Sequence, residues 1–207
     1  MSQLKIECAR RQLGTALDLY LRDLDPISVH CLAIGGCELI EHHAEKAGGE
    51  PYVSHVLKAT NLKINEFWAA QRQYWNAFKH ATTRRGGERE DDELLSKFTD
   101  EQNDPALFIG WFDYAQATKT MPIEAQIFQI WWMARHPEKV DPGNANALVD
   151  AQRLFPGLPE KSRAKQKRML NEAIKQWRVD EETMRDPHTR SPSAGAGLGR
   201  EKETHRG

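Results

Sequence analysis

The stretch Leu4–Gly49, LKIECARRQLGTALDLYLRDLDPISVHCLAIGGCELIEHHAEKAGG, decides the fold. Its first half repeats Ile6, Ala9, Leu13, Ala16, Leu17, Tyr20, Leu21 and Leu24 at spacings of three and four. That is the period of an amphipathic helix, predicted over 4–24. Asp25-Pro26 reads as the next helix start, with the carboxylate as N-cap and proline where no amide is needed. The second helix runs to Ala47 and stops at Gly48-Gly49. Ala33, Gly35 and Gly36 lie inside it. Glycine in a helix interior costs about 1 kcal/mol against alanine, so this helix is expected to pack unusually close to a neighbour.

Working outward, residues 50–62 read as a connector with a short helical turn. A third strong helix is predicted over 63–82, with Ile64, Phe67, Trp68, Gln71, Trp75 and Phe78 as its buried stripe. TTRRGGEREDDE (82–93) is a polar loop. It leads into an acidic stretch, 88–104, with eight acids against two bases. Asp104-Pro105 repeats the cap-and-proline signature and opens a helix with Phe108, Ile109, Trp111, Phe112 and Ala115. Thr120-Met121-Pro122 opens another, with Ile123, Ile127, Ile130, Trp131 and Ala134, which Pro137 closes. A shorter helix near 144–154 ends at Phe155-Pro156-Gly157. The last, 159–184, carries Met169, Ala173, Ile174 and Trp177. It starts basic, with Lys161, Arg163, Lys165, Lys167 and Arg168.

No strand-type alternation and no internal repeat is evident. The expectation is an all-α bundle of six to eight helices. Residues 1–155 would form its core, 156–184 a basic amphipathic helix packed on or beside it, and 185–207 a disordered tail.

Composition narrows the function classes. The 207 residues are 39% hydrophobic and 29% charged, which suits a folded domain rather than a disordered chain. The net charge of -1 offers no global attraction for nucleic acid. Three cysteines, Cys8, Cys31 and Cys37, are too few and odd for a disulfide framework and fit a reducing compartment. The N-terminus has no apolar signal region, and no stretch reaches the roughly 18–20 apolar residues of a membrane span. A cytoplasmic protein without membrane contact is expected.

One helix edge stands out. At about 100° per residue, Arg72, Asn76, Lys79, His80 and Thr83 fall within an arc of about 100°, beside the aromatic stripe. A histidine at such a border has an easily moved pKa. A histidine with a nearby cation is also what phosphodiester cleavage requires: one group moves the proton, and the other stabilises charge developing on phosphate. The plainer alternative is a solvated flank.

Three segments carry a resemblance: SVHCLAIGGCELIEHHAEKAGG (28–49), WNAFKHA (75–81) and FQIWWMARHP (128–137). Together they resemble a family of uncharacterised bacterial helical proteins with an R-N-F-F-K-H-A-D motif, distantly similar to the HEPN group. Many HEPN members are ribonucleases with an Arg-x4–6-His motif on a helix, paired across a homodimer. The resemblance implies a catalytic role for His80 and binding roles for Asn76, Lys79, Glu38 and His30, with Arg72 on the polar edge as the spatial substitute for the catalytic arginine. The family's arginine position holds Trp75 here, with Arg72 nearly one turn earlier. The aspartate after His-Ala is Thr82. These departures imply a non-catalytic or weakly catalytic member that binds a nucleotide, RNA or a protein partner. A metal-independent ribonuclease of a toxin or defence system, and a structural accessory protein, are the alternatives.

Other constellations are weaker. Cys31, Cys37, His30, His42 and His43 match no zinc-ligand spacing, so no metal is expected. No glycine-rich phosphate loop or nucleophile elbow is present, so no cofactor is expected. The cations at 161–168 are the best local nucleic-acid signal. Docking onto the acidic 88–104 segment is the competing expectation.

Overall fold

The computed structural model describes residues 3–83 and 85–190. The chain is all-α. Helices α1 (Gln3–Leu21), α2 (Pro26–Lys46), α3 (Tyr52–Ala59), α4 (Ile64–Lys79) and α5 (Asp92–Leu95) make up the first half. Then follow α6 (Asn103–Thr118), α7 (Ile123–Arg135), α8 (Ala145–Leu154), α9 (Arg163–Trp177) and α10 (Glu181–Arg185).

The first helix pair forms as its sequence dictates. Ala9, Leu13, Ala16, Leu17 and Tyr20 of α1 are buried. The Asp25 side chain accepts hydrogen bonds from the amides of Ile27 and Ser28, with Pro26 in the first turn of α2. The predicted close approach is real. A Cβ on Gly36 would stand 2.6 Å from Leu13 Cγ, and one on Gly110 of α6 would stand 2.4 Å from Leu13 Cδ2. Three backbones converge on Leu13 because two of them carry no side chain there.

The centre of the bundle is α6. Its buried residues, among them Leu107, Trp111, Asp113, Tyr114 and Ala117, point all round rather than to one face. This helix starts at Asn103, one residue before the predicted cap. Asp104 is therefore not a cap but a wholly buried acceptor. Thr99 and Gln102 cap the preceding 3-10 turn instead, with Gln102 Oε1 accepting from the Thr99 amide at 2.7 Å.

The basic helix docks by charge. Arg163 of α9 donates to both oxygens of Asp104, at 2.7 and 2.9 Å, and to Asp100 at 2.9 Å. Lys167 pairs with Asp100 at 2.9 Å and with Asp23 at 2.5 Å. Arg135 of α7 also pairs with Asp104. Burial alone would lower the Arg163 pKa, but Asp104, Tyr20 and Asp100 more than offset it, so the guanidinium is held firmly charged. Leu158, Leu170, Ala173 and Ile174 join the same apolar core as α1, α2, α6 and α7.

Several predicted elements differ. The connector 50–62 contains the full helix α3. The predicted last helix breaks into α9 and α10. Residues 186–190, assigned by composition to the tail, are ordered: Thr189-Arg190 (β2) pairs in parallel with Met121-Pro122 (β1). The rest of that segment, 191–207, lies outside the described residues.

Candidate functional site

Helix α4 packs chiefly on α2, with α3 and α5 at its ends. Its stripe is consequently not buried as predicted. Tyr74 alone among its described side chains is buried, whereas Phe67, Trp68, Trp75 and Phe78 are half-buried and Ile64 is 42% exposed.

The structure brings some of the predicted site residues together and separates others. Arg72 Nε lies 3.2 Å from Glu38 Oε1 of α2, an ion pair without hydrogen-bond alignment. The same guanidinium lies 5.4 Å over the Trp68 ring. The Trp68 indole N–H is shared between both oxygens of Glu41, at 3.2 and 3.3 Å. Burial raises the Glu41 pKa, while Trp68 and Arg72 pull it down. One heptad on, Lys79 Nζ lies 3.5 Å from the Trp75 ring centroid. Asn76 is half-buried beside this pair.

His80 lies just past the end of this face. The helix ends at Lys79, and His80 is an exposed C-cap in extended conformation, its amide donating to Asn76 O. The helical arc predicted through His80 and Thr83 therefore runs only as far as Lys79. No carboxylate among the described residues hydrogen-bonds the His80 ring. Arg72 is engaged by Glu38 two turns away, so the acid–base pair of a phosphodiesterase is not assembled within one chain.

His30 is also apart from the edge. It is 3% exposed, ringed edge-on by Tyr74, Phe78 and Phe98, and its Nδ1 lies 3.0 Å from Asn103 Oδ1. Burial lowers its pKa, and the Asn103 bond only partly counters this. Cys37 is buried with its thiol donating to Ala106 O. Among the described residues, no group of three or more His, Cys, Asp or Glu side chains is placed to hold a metal. None of their helices is long and apolar enough to cross a membrane.

The feature that sequence reading missed is the stripe Trp68, Arg72, Trp75, Lys79. Counted at about 100° per residue, the four fall within about 60° of one another, alternating aromatic and cation. Its signal, W-x3-R-x2-W-x3-K, was legible, but the tryptophans were assigned to the core. Set against protein-family models, curated proteins and solved structures, the chain matches none.

Proposed function

We propose that this is a HEPN-like binding protein without catalytic turnover, which works as a homodimer and takes up its second copy along the α4 stripe. The observation that carries this is the stripe itself. It is a partly exposed ridge of two tryptophans and two cations, with Lys79 its most open member and Trp75 also packed against the core, about 16 Å long at 1.5 Å per residue. Beside it, α2 presents Glu38, Glu41 and Glu45, with Glu38 and Glu45 exposed. A surface carrying adjacent cationic and acidic rows is self-complementary across a two-fold axis, and tryptophan with arginine is the composition of interface anchors. The resemblance to HEPN-type domains supports the same arrangement.

Phosphate is the poorer partner for this edge. A nucleotide or RNA reaching Arg72 would meet Glu38 and Glu41 first, which favours a protein partner. At 161–168, Arg163 and Lys167 are already engaged by Asp100 and Asp104. The free cysteines Cys8, Cys31 and Cys37 support a cytoplasmic setting.

Sedimentation equilibrium over a hundredfold concentration range tests the proposal. Twice the chain mass is expected for the wild type, and the chain mass for Trp68→Ser/Trp75→Ser. A monomeric wild type, or a double variant that dimerises unchanged, would overturn it.

A further inference from the structure

Helix α3 packs on α6 and the start of α4, with Val53 as its one buried side chain. Ring edges hold much of the rest. Tyr52 meets Phe108 at 5.4 Å and Phe112 at 5.5 Å between centroids, and His55 meets Phe112 at 5.4 Å. Both flanks of α3 are hinge-like. Gly48 takes a positive φ of 75° with open space around it. On the other side, Thr60 is extended and residues 61–63 are exposed.

One buried carboxyl group fastens this helix. Pro51 offers α3 no capping side chain, and Asp113 of α6 supplies the acceptor instead, taking the Tyr52 amide at 2.7 Å. Asp113 is 1% exposed. A buried carboxylate is costly to ionise unless a cation or several donors surround it. Here one amide serves, and no cation among the described residues compensates it. From α2, Glu41 adds a like charge and Cys37 a buried thiol. On α4, Arg72 is engaged by Glu38. On α3, His55 faces the Phe112 ring, and Lys58 is paired with Glu50. The neutral carboxyl suits the docked helix: it keeps an oxygen for the amide and carries no charge. Burial, opposed by the amide and assisted by Glu41, raises the Asp113 pKa from 3.8 to about 7.

We propose that α3 is a proton-gated flap, which stays docked on Phe108 and Phe112 while the Asp113 carboxyl is neutral and lifts once that group ionises. Lifting returns the carboxylate to water. The docked state therefore holds the extra proton, and docking weakens as pH rises from 3.8 to about 7, by up to roughly tenfold per unit. Lifting uncovers the Phe108 and Phe112 rings, behind which Trp132 stacks on Phe108 at 3.8 Å. An aromatic face is thus bared more often at neutral pH than in acid. The flap lies on α6 and does not require the α4 dimer.

Native-state hydrogen exchange on the full chain tests this. Protection factors of the α3 amides should fall at least roughly tenfold between pH 5 and 7. The fall should not depend on urea below the unfolding transition, the mark of local opening. In Asp113→Asn, which keeps the acceptor without the charge, the fall should vanish. The wild type decides even if that variant does not fold: the NMR shift of the Asp113 carboxyl carbon should titrate near pH 7. Level α3 protection across this range, a fall that persists in Asp113→Asn, opening that follows urea as global unfolding does, or an Asp113 midpoint in the ordinary carboxylate range would overturn the proposal.

Discussion

Lys79 holds its ammonium 3.5 Å from the centroid of the Trp75 ring, and Arg72 repeats the arrangement one heptad earlier over Trp68. A partly exposed cation–aromatic contact of this kind contributes only about 0.5–1 kcal/mol to folding. Its consequence lies at the surface. Trp75→Ser is expected to weaken self-association at least tenfold while shifting the thermal midpoint by only a few degrees. Concentration-dependent light scattering beside a thermal melt measures both. Equal losses in the two would make Trp75 a folding residue.

Catalysis by this edge is not expected. Purified protein should leave single-stranded RNA intact over hours, and His80→Ala should behave as wild type. His80 is exposed beyond the helix end, and Arg72 is paired with Glu38. RNA cleavage that disappears with His80→Ala would restore the ribonuclease alternative.

Asp104 is the electrostatic hub. It is 0% exposed and accepts from Arg163, Arg135 and the Tyr20 hydroxyl. Asp104→Ala leaves two largely buried guanidinium groups without their common acceptor. Removing one member of a buried ionic network typically costs about 3–5 kcal/mol. The urea midpoint should fall accordingly, and a loss below about 1 kcal/mol would mean that water already screens the cluster.

Asp113 makes stability pH-dependent. Its carboxylate accepts from the Tyr52 amide at 2.7 Å, capping α3 from another helix. Burial, reinforced by Glu41 and opposed by that amide, pushes its pKa up to about 7. The unfolded chain releases this proton near 3.8, the ordinary value. Between about pH 4 and 7 the folded state binds more protons, so this contribution falls as pH rises and levels off above 7. A shift of that size corresponds to at most about 4 kcal/mol. His30, depressed by burial, acts oppositely: its contribution is complete above about pH 6.5 and is lost as pH falls. Urea titrations from pH 4 to 8 should show a downward slope that Asp113→Asn flattens. An unchanged slope in the variant would assign it to other groups.

The triple approach at Leu13 gives a packing prediction. Gly110→Ala places a Cβ 2.4 Å from Leu13 Cδ2 and 3.1 Å from Cys37 Sγ. Overpacking of this kind costs about 1–3 kcal/mol. A double-mutant cycle with Leu13→Val should show coupling of at least about 0.5 kcal/mol, and strict additivity would mean that the backbones part freely.

Helix content was legible because α1, α2 and α7 bury long periodic apolar faces, α6 is apolar almost all round, and α2, α6 and α7 have proline near their start. Even the glycine contact of α2 followed from the cost of placing glycine mid-helix. The site was less legible because periodicity says which face of α4 is apolar but not whether anything covers it. Trp68 and Trp75 were therefore both read as core, although only Trp75 packs against it and both stay partly exposed. The helix also ends three residues earlier than predicted, at Lys79, so His80 and Thr83 lie past its end rather than along its edge. The role of Asp104 was hidden for a different reason: its partners Tyr20, Arg135 and Arg163 lie 31 to 84 residues away in the chain.

The central claim is that the α4 stripe is the surface on which two copies meet. The most direct measurement is an isotope-filtered NOE experiment on an equal mixture of labelled and unlabelled chains. Intermolecular contacts are expected from the Trp68 and Trp75 indole protons to α2 residues around Glu38 and Glu41 of the other copy. Intermolecular contacts confined to another face, or none at millimolar concentration, would contradict it.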